Sequence, residues 1–206
     1  SNFATGNAGT VKINANDTIA INGNNNKKGI YSGITSIGSG GPQIERKGGV
    51  VDITTQNLSL SNGGQLGSGN FKQGDGGSVK INASNNISVD GRVTDSLEDG
   101  SARSVPTSIS SGIGPGIKGN AGIIDITTKS LSVTNSAQVG AVIQGEGNGG
   151  SVKINASDTL SIDGRVDGLS LTGEKQSFPS SIATEIEPTG KGNGGNVEIT
   201  AKNLSL

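Results

Sequence analysis

The chain contains no His, Cys, Met or Trp. Without His and Cys, the usual zinc, copper, haem and iron–sulfur ligand sets cannot be assembled. Cysteine nucleophiles and histidine acid–base catalysis are excluded on the same ground. Aromatic residues are limited to Phe3, Tyr31, Phe71 and Phe178. A net charge of -1 with interspersed signs provides no electrostatic footprint for nucleic acid. No apolar run reaches the roughly 18 residues that span a bilayer, so no membrane insertion is expected. The opening Ser1-Asn2-Phe3-Ala4-Thr5-Gly6 does not read as a signal peptide. The lack of Cys suits an extracellular bacterial protein and the cytosol alike.

What is abundant is glycine, 36 of 206 residues; with Ser, Thr and Asn it makes up about half the chain. Such a composition ordinarily points to disorder. Disorder predicts no ordered periodicity, and internal repeats therefore decide the matter.

One segment recurs six times. It reads Gly6-Asn-Ala-Gly-Thr-Val-Lys-Ile-Asn-Ala15 at first and Gly147-Asn-Gly-Gly-Ser-Val-Lys-Ile-Asn-Ala156 in a late copy. The glycine before each strand is Gly9, Gly49, Gly77, Gly122, Gly150 or Gly195, at gaps of 40, 28, 45, 28 and 45 residues. Short and long repeats alternate, so the unit is a pair of 73 residues. Residues 1–206 are accordingly read as a single repeat domain, part of a longer array, with coils starting near 9, 49, 77, 122, 150 and 195.

Three strands are expected in each coil. The first alternates β-branched residues at period two: Val11/Ile13, Val51/Ile53, Val79/Ile81, Ile124/Ile126, Val152/Ile154 and Val197/Ile199. The second, for instance Leu58/Leu60 or Leu131/Val133, starts 8 residues later in long coils and 7 in short ones. The third centres on Ile34, Leu66, Ile109, Val139 and Ile182, flanked by small residues such as Ser68, Ser111 and Ala141. No such strand buries its apolar face alone, whereas stacking coil on coil at about 4.8 Å does. A thin core filled by Val, Ile and Leu explains the scarcity of aromatics. Glycines at the corners are expected to permit positive φ. The expected fold is therefore all-β: a right-handed parallel β-helix, or β-solenoid, of about five to six coils.

The outward residues of the first strand run Lys12, Asp52, Lys80, Asp125, Lys153, Glu198. The sign alternates at every step, as a stack of neighbouring strands requires. Long coils carry insertions near residues 22–33, 90–108 and 163–181, and the later two align through Asp90-Gly91-Arg92-Val93 with Asp163-Gly164-Arg165-Val166. Loops on a rigid scaffold are where recognition would reside.

Other motifs carry little. Gly-x-Gly-x-x-Gly at Gly114/Gly116/Gly119, Gly145/Gly147/Gly150 and Gly190/Gly192/Gly195 runs into a strand rather than opening the helix that a dinucleotide site needs. Gly74-Asp75-Gly76-Gly77 resembles a calcium-binding repeat only faintly, because its Asp does not recur at nine-residue spacing. Two carboxylate groups, Asp95/Glu98/Asp99 and Asp163/Asp167, have the residue type for glycoside hydrolysis but read as solvated loop charge. No catalytic, cofactor-binding or metal-ligating residue is assigned, no cofactor is expected, and the chain is not expected to be an enzyme.

The series Gly-Asn-Gly-Gly-x-Val-x-Ile-x-Ala, Leu-Ser-Ile, Asp-Gly and Pro-Ser-Ser-Ile resembles cyanobacterial filamentous-haemagglutinin-like exoproteins of the two-partner secretion type, over nearly the whole chain. The resemblance implies a right-handed β-helix and export through a dedicated outer-membrane transporter, engaged by a region not evident here. It also implies secretion or cell-surface display, with adhesion to a surface glycan or a cell-surface receptor. The leading expectation is a structural or adhesive shaft without catalysis. The alternatives are a β-helical polysaccharide-active enzyme or carbohydrate-binding module, and an ice-binding array, which the alternating charge column disfavours.

Overall fold

The computed structural model describes residues 7–23, 32–38, 47–71, 73–96, 102–169 and 175–206. Every regular element among them is a β-strand. The first repeat supplies β1 (Thr10–Asn14), β2 (Thr18–Asn22) and β3 (Gly33–Gly38); the second supplies β4 (Val50–Ser61) and β5 (Gln65–Asn70). The third contains β6 (Ser78–Asp90), β7 (Arg92–Ser96), β8 (Ala102–Pro106) and β9 (Ser108–Ile113). Then follow β10 (Ile123–Thr134) and β11 (Gln138–Ile143), and after them β12 (Ser151–Asp163), β13 (Arg165–Leu169), β14 (Lys175–Pro179) and β15 (Ser181–Ile186). The last is β16 (Asn196–Ser205).

Two parallel sheets organise these strands. One has the order β1-β4-β6-β10-β12-β16, with β2 also pairing with β4; the other has the order β3-β5-β9-β11-β15. Both orders follow the chain, so the backbone passes from one sheet to the other and each return adds a strand to the same growing edge. This is winding of the β-helix kind. Between the sheets lies a core of aliphatic columns. Ile53, Ile81, Ile126 and Ile154 form one column and Leu58, Ile87, Leu131 and Leu160 another, each residue at most 1% exposed. The columns follow from alternation, since β4 through β12 bury every second residue until the corner.

The expectation of three separate strands per coil is corrected. From the second repeat onward the first two merge into one strand of 10 to 13 residues. The junction is a bulge: Thr55 pairs with Ala83 and Asn57 with Asn86, two steps against three. The same shift separates β10 from β6 and β12. It is the structural origin of the 7-versus-8 spacing, because the long repeat carries one extra residue at the corner. The short repeats place a buried threonine there. Thr55 Oγ1 lies 2.9 Å from the Asp17 carbonyl and 3.2 Å from that of Asn57, and Thr128 Oγ1 lies 3.2 Å from the carbonyls of Asn85 and Ser130. The hydroxyl thereby finds a carbonyl acceptor inside the corner, where the Asp17 carbonyl also accepts from the Gln56 and Asn57 N–H groups.

The pre-strand glycines have a different role from the corner glycines. Gly49, Gly77, Gly122, Gly150 and Gly195 do not have positive φ. They are glycines because of close approach: a Cβ on Gly77 would lie 1.9 Å from Ser68 Oγ and 2.0 Å from the Gly49 carbonyl oxygen. The carbonyl oxygen of the preceding repeat's glycine lies within 2.2 Å of the added Cβ at all five positions, and at Gly49, Gly77 and Gly122 a buried serine of the second sheet adds a second clash. Ser36 Oγ donates to the Gly9 carbonyl at 2.6 Å, Ser68 Oγ to that of Gly49 at 2.6 Å, and Ser111 Oγ to that of Gly77 at 2.7 Å. Each bond ties the second sheet to the start of the first sheet's strand within one repeat. Positive φ occurs at corner glycines, as expected: at Gly63 (77°), Gly74 (115°) and Gly116 (70°), and in the Asp-Gly turns at Gly91 (84°) and Gly164 (81°).

Strand pairing places the charge column in register: Lys12 opposite Asp52, then Lys80, Asp125, Lys153 and Glu198 in succession. Lys12 and Asp52 approach to 3.9 Å, and Lys153 and Glu198 to 3.5 Å. Asp125→Lys is expected to put three lysines in a row and to lower stability by about 1 kcal/mol at low ionic strength. Urea titrations at low and high salt check this, with the deficit shrinking as salt rises.

Candidate functional site

The insertions of the third and fifth repeats form antiparallel hairpins, β7–β8 and β13–β14. The insertion near 22–33 lies mostly outside the described residues, as do Glu98 and Asp99. Each hairpin leaves the scaffold through an Asp-Gly turn and returns through Pro-Thr/Ser-Ser-Ile, the motif that aligns the two loops. The Thr or Ser in that motif clamps the base. Thr107 Oγ1 accepts from the Gly63 N–H at 2.9 Å and donates to the Asp90 carbonyl at 2.7 Å. Ser180 Oγ repeats this with the Ser136 N–H at 3.0 Å and the Asp163 carbonyl at 2.7 Å. Thr107 is fully buried. Thr107→Val keeps its shape but orphans both partners, so a loss of about 1–3 kcal/mol is expected by thermal denaturation.

Together the hairpins and the outer face of the second sheet enclose a groove of about 800 Å³. Its floor is made of outward-facing positions. Because side chains alternate, these are the neighbours of the inward Leu66, Ile109 and Val139, all buried, and the half-buried Ile182: Gly67, Ser110, Gly140 and Ala183 lie side by side across four strands. Small residues keep the floor low. Amides flank it at Gln65, Gln138, Gln144 and Gln176. Ile37 and Phe71, 44% and 52% exposed, stand at one margin.

Arg92 enters this groove from β7 and stacks on the Phe178 ring of the next hairpin, 3.8 Å from its centroid. Its Nε and Nη1 are buried without a hydrogen-bond partner, and so is Ser104 Oγ on the facing strand. Burial pulls the Arg92 pKa below the ordinary arginine value, yet a guanidinium stays protonated at neutral pH. Glu185 and Glu187 line the groove at the end of β15. Burial and then the charge of Glu185 push the Glu187 carboxyl above the usual range.

The other sequence features have structural positions. Asp75 belongs to a side-chain ladder rather than a calcium loop: its Oδ1 accepts from the Asn120 N–H at 2.8 Å and from Asn120 Nδ2 at 3.2 Å. Asn120 Oδ1 serves Asn148 in the same way, and Asn148 Oδ1 accepts from Asn193 Nδ2 at 3.0 Å. This ladder accounts for the recurring Gly-Asn-x-Gly. The Gly-x-Gly-x-x-Gly runs are the turns that carry it and lead into β10, β12 and β16. Asp163 Oδ1 accepts from the Gly164 N–H at 2.6 Å, which makes it a turn residue, and Asp167 is exposed on β13. A second charge ladder, Lys118–Glu146–Lys191, lies in the turns, where strand alternation does not reveal it; its first pair approaches to 3.2 Å.

The groove was not legible in the sequence. Its signals were the Val105/Phe178 difference in otherwise aligned hairpins and the Gly-rich outward positions of the third strand. Arg92 and Arg165 align in sequence, but among the described residues only Arg92 stacks on an aromatic ring. Compared with protein-family models, curated proteins and solved structures, the chain matches none of them.

Proposed function

We propose that the chain is a shaft segment of a secreted or surface-displayed bacterial haemagglutinin-like protein, structural and adhesive rather than catalytic. The observation that carries this reading is the uninterrupted axial continuity of the ladders. One charge column crosses six strands of the first sheet, while the Asn ladder runs along the turns. Such side-chain columns resist sliding and splaying of coils, as a rod under tension requires. The coils are taken to number five to six and to wind right-handed, as parallel crossovers do in nearly all folds. Export through an outer-membrane transporter belongs to the same proposal.

The test is retention. The chain displayed on a non-adherent bacterium is expected to raise attachment to host cells or abiotic surfaces above an empty-display control, and equal attachment would overturn the adhesive assignment. Incubation with uronic-acid polymers is expected to release no new reducing ends; turnover would establish the polysaccharide-active alternative instead.

A further inference from the structure

Arg92 presents a physical problem that the shaft reading leaves unsolved. A guanidinium held in a groove is costly when its N–H groups have no acceptor. Among the described residues no carboxylate forms an ion pair with it. Its plane is held by Phe178, so its orientation is set before anything binds. Ser104 Oγ, on the facing strand of the same hairpin, also lacks a partner. Arg92 Nε and Nη1 and Ser104 Oγ are sealed from solvent; Nη2 is not among these three atoms, and it is the unpaired donor through which Arg92, a groove-lining residue, meets an anionic oxygen.

The rest of the groove selects the kind of molecule. Its floor is the face of a sheet whose backbone groups are used in the parallel ladders, so a peptide gains no strand pairing there. Its lining offers amides and hydroxyls, such as Ser110, Gln138, Gln144 and Gln176, on a floor lowered by Gly67 and Gly140. That is donor–acceptor chemistry for sugar hydroxyls. The opposite end carries Glu185 and Glu187, the latter six residues beyond Ser181, or about 20 Å at the rise of a strand. An acid on every sugar would be repelled at that end.

We propose that this groove binds a glycan in which carboxylate-bearing sugars are separated by neutral ones, with Arg92 as the anion anchor. The proposal rests on the adhesive reading and names its ligand class. The test is calorimetric titration of the full chain with length-matched oligosaccharides. The alternating uronate–neutral hyaluronan oligomer is expected to bind at least tenfold more tightly than oligogalacturonate or neutral dextran. Arg92→Met is expected to weaken that binding at least tenfold while leaving the melting temperature unchanged or raised, since it removes a buried charge without a counter-ion. Ser110→Tyr, which fills the floor, is expected to abolish binding, and Lys12→Gln on the other sheet to leave it unchanged. Retained binding by Arg92→Met would overturn the proposal. So would a lowered melting temperature of Arg92→Met together with retained binding by Ser110→Tyr, or equal affinity for poly-glutamate or sulfated dextran. If surface attachment persists while all these oligosaccharides fail to bind, the groove proposal falls and the shaft remains. If the hyaluronan oligomer binds while attachment stays at the control level, the adhesive assignment falls and the groove remains.

Discussion

Gly122→Ala is expected to abolish cooperative folding or to cost about 4 kcal/mol or more. A Cβ at this position lies 1.6 Å from the Gly77 carbonyl oxygen and 2.3 Å from Ser111 Oγ. The first contact is with backbone, so no side-chain rotation relieves it. The Ser111 hydroxyl donates to that same carbonyl at 2.7 Å, so the methyl also displaces the bond joining the two sheets in the third repeat. Gly122 precedes β10, in the middle of the stack, so separating its neighbours divides the ladder rather than fraying an end. Gly194→Ala is the control. It is the third residue of the run Gly192-Asn-Gly-Gly195, aligned with Ala121, and nothing lies within 4 Å of its Cβ. Denaturant unfolding followed by far-UV circular dichroism checks the pair. A Gly122→Ala protein with the midpoint of the parent would show that the repeats do not pack at this distance.

The second large effect is in the core. Ile126→Ala is expected to lose about 2–5 kcal/mol, because a fully buried isoleucine between Ile81 and Ile154 leaves a cavity that a stacked column closes poorly. Ile123, three residues earlier on the same strand, is 54% exposed, so Ile123→Ala is expected to change stability by less than about 0.5 kcal/mol. Thermal melts of the two variants provide the measurement. Comparable losses would mean that β10 presents both faces to packing.

The contrast between these isoleucines shows how much of the fold is written locally. Period-two alternation assigns Ile124 and Ile126 to one face and Asp125 to the other, since a strand has only two faces. The 73-residue recurrence then dictates which residues become neighbours. Lys12 meets Asp52 because equivalent positions stack, and no further information is needed for that pairing. The merger of the first two strands was less evident. The spacing of 7 or 8 residues is compatible with either a turn or a bulge, and only the hydrogen bonding of Thr55 and Thr128 at the corner distinguishes them.

The sequence by itself determined the all-β character, the charge column of the first strands and the positions of the insertions, because each depends on residues compared with their own repeats. Tertiary structure decided why the pre-strand residue must be glycine, since the clash is with the backbone of the neighbouring coil and, at Gly49, Gly77 and Gly122, with a serine from the other sheet. It alone made the groove, which needs an outer sheet face and two hairpins together. It also decided which of two aligned arginines is half-buried. Arg92 and Arg165 follow the same Asp-Gly turn, yet only Arg92 has Phe178 against it. Burial and unmet hydrogen bonding are properties of that meeting of two loops, 86 residues apart in the chain, and no local pattern encodes them.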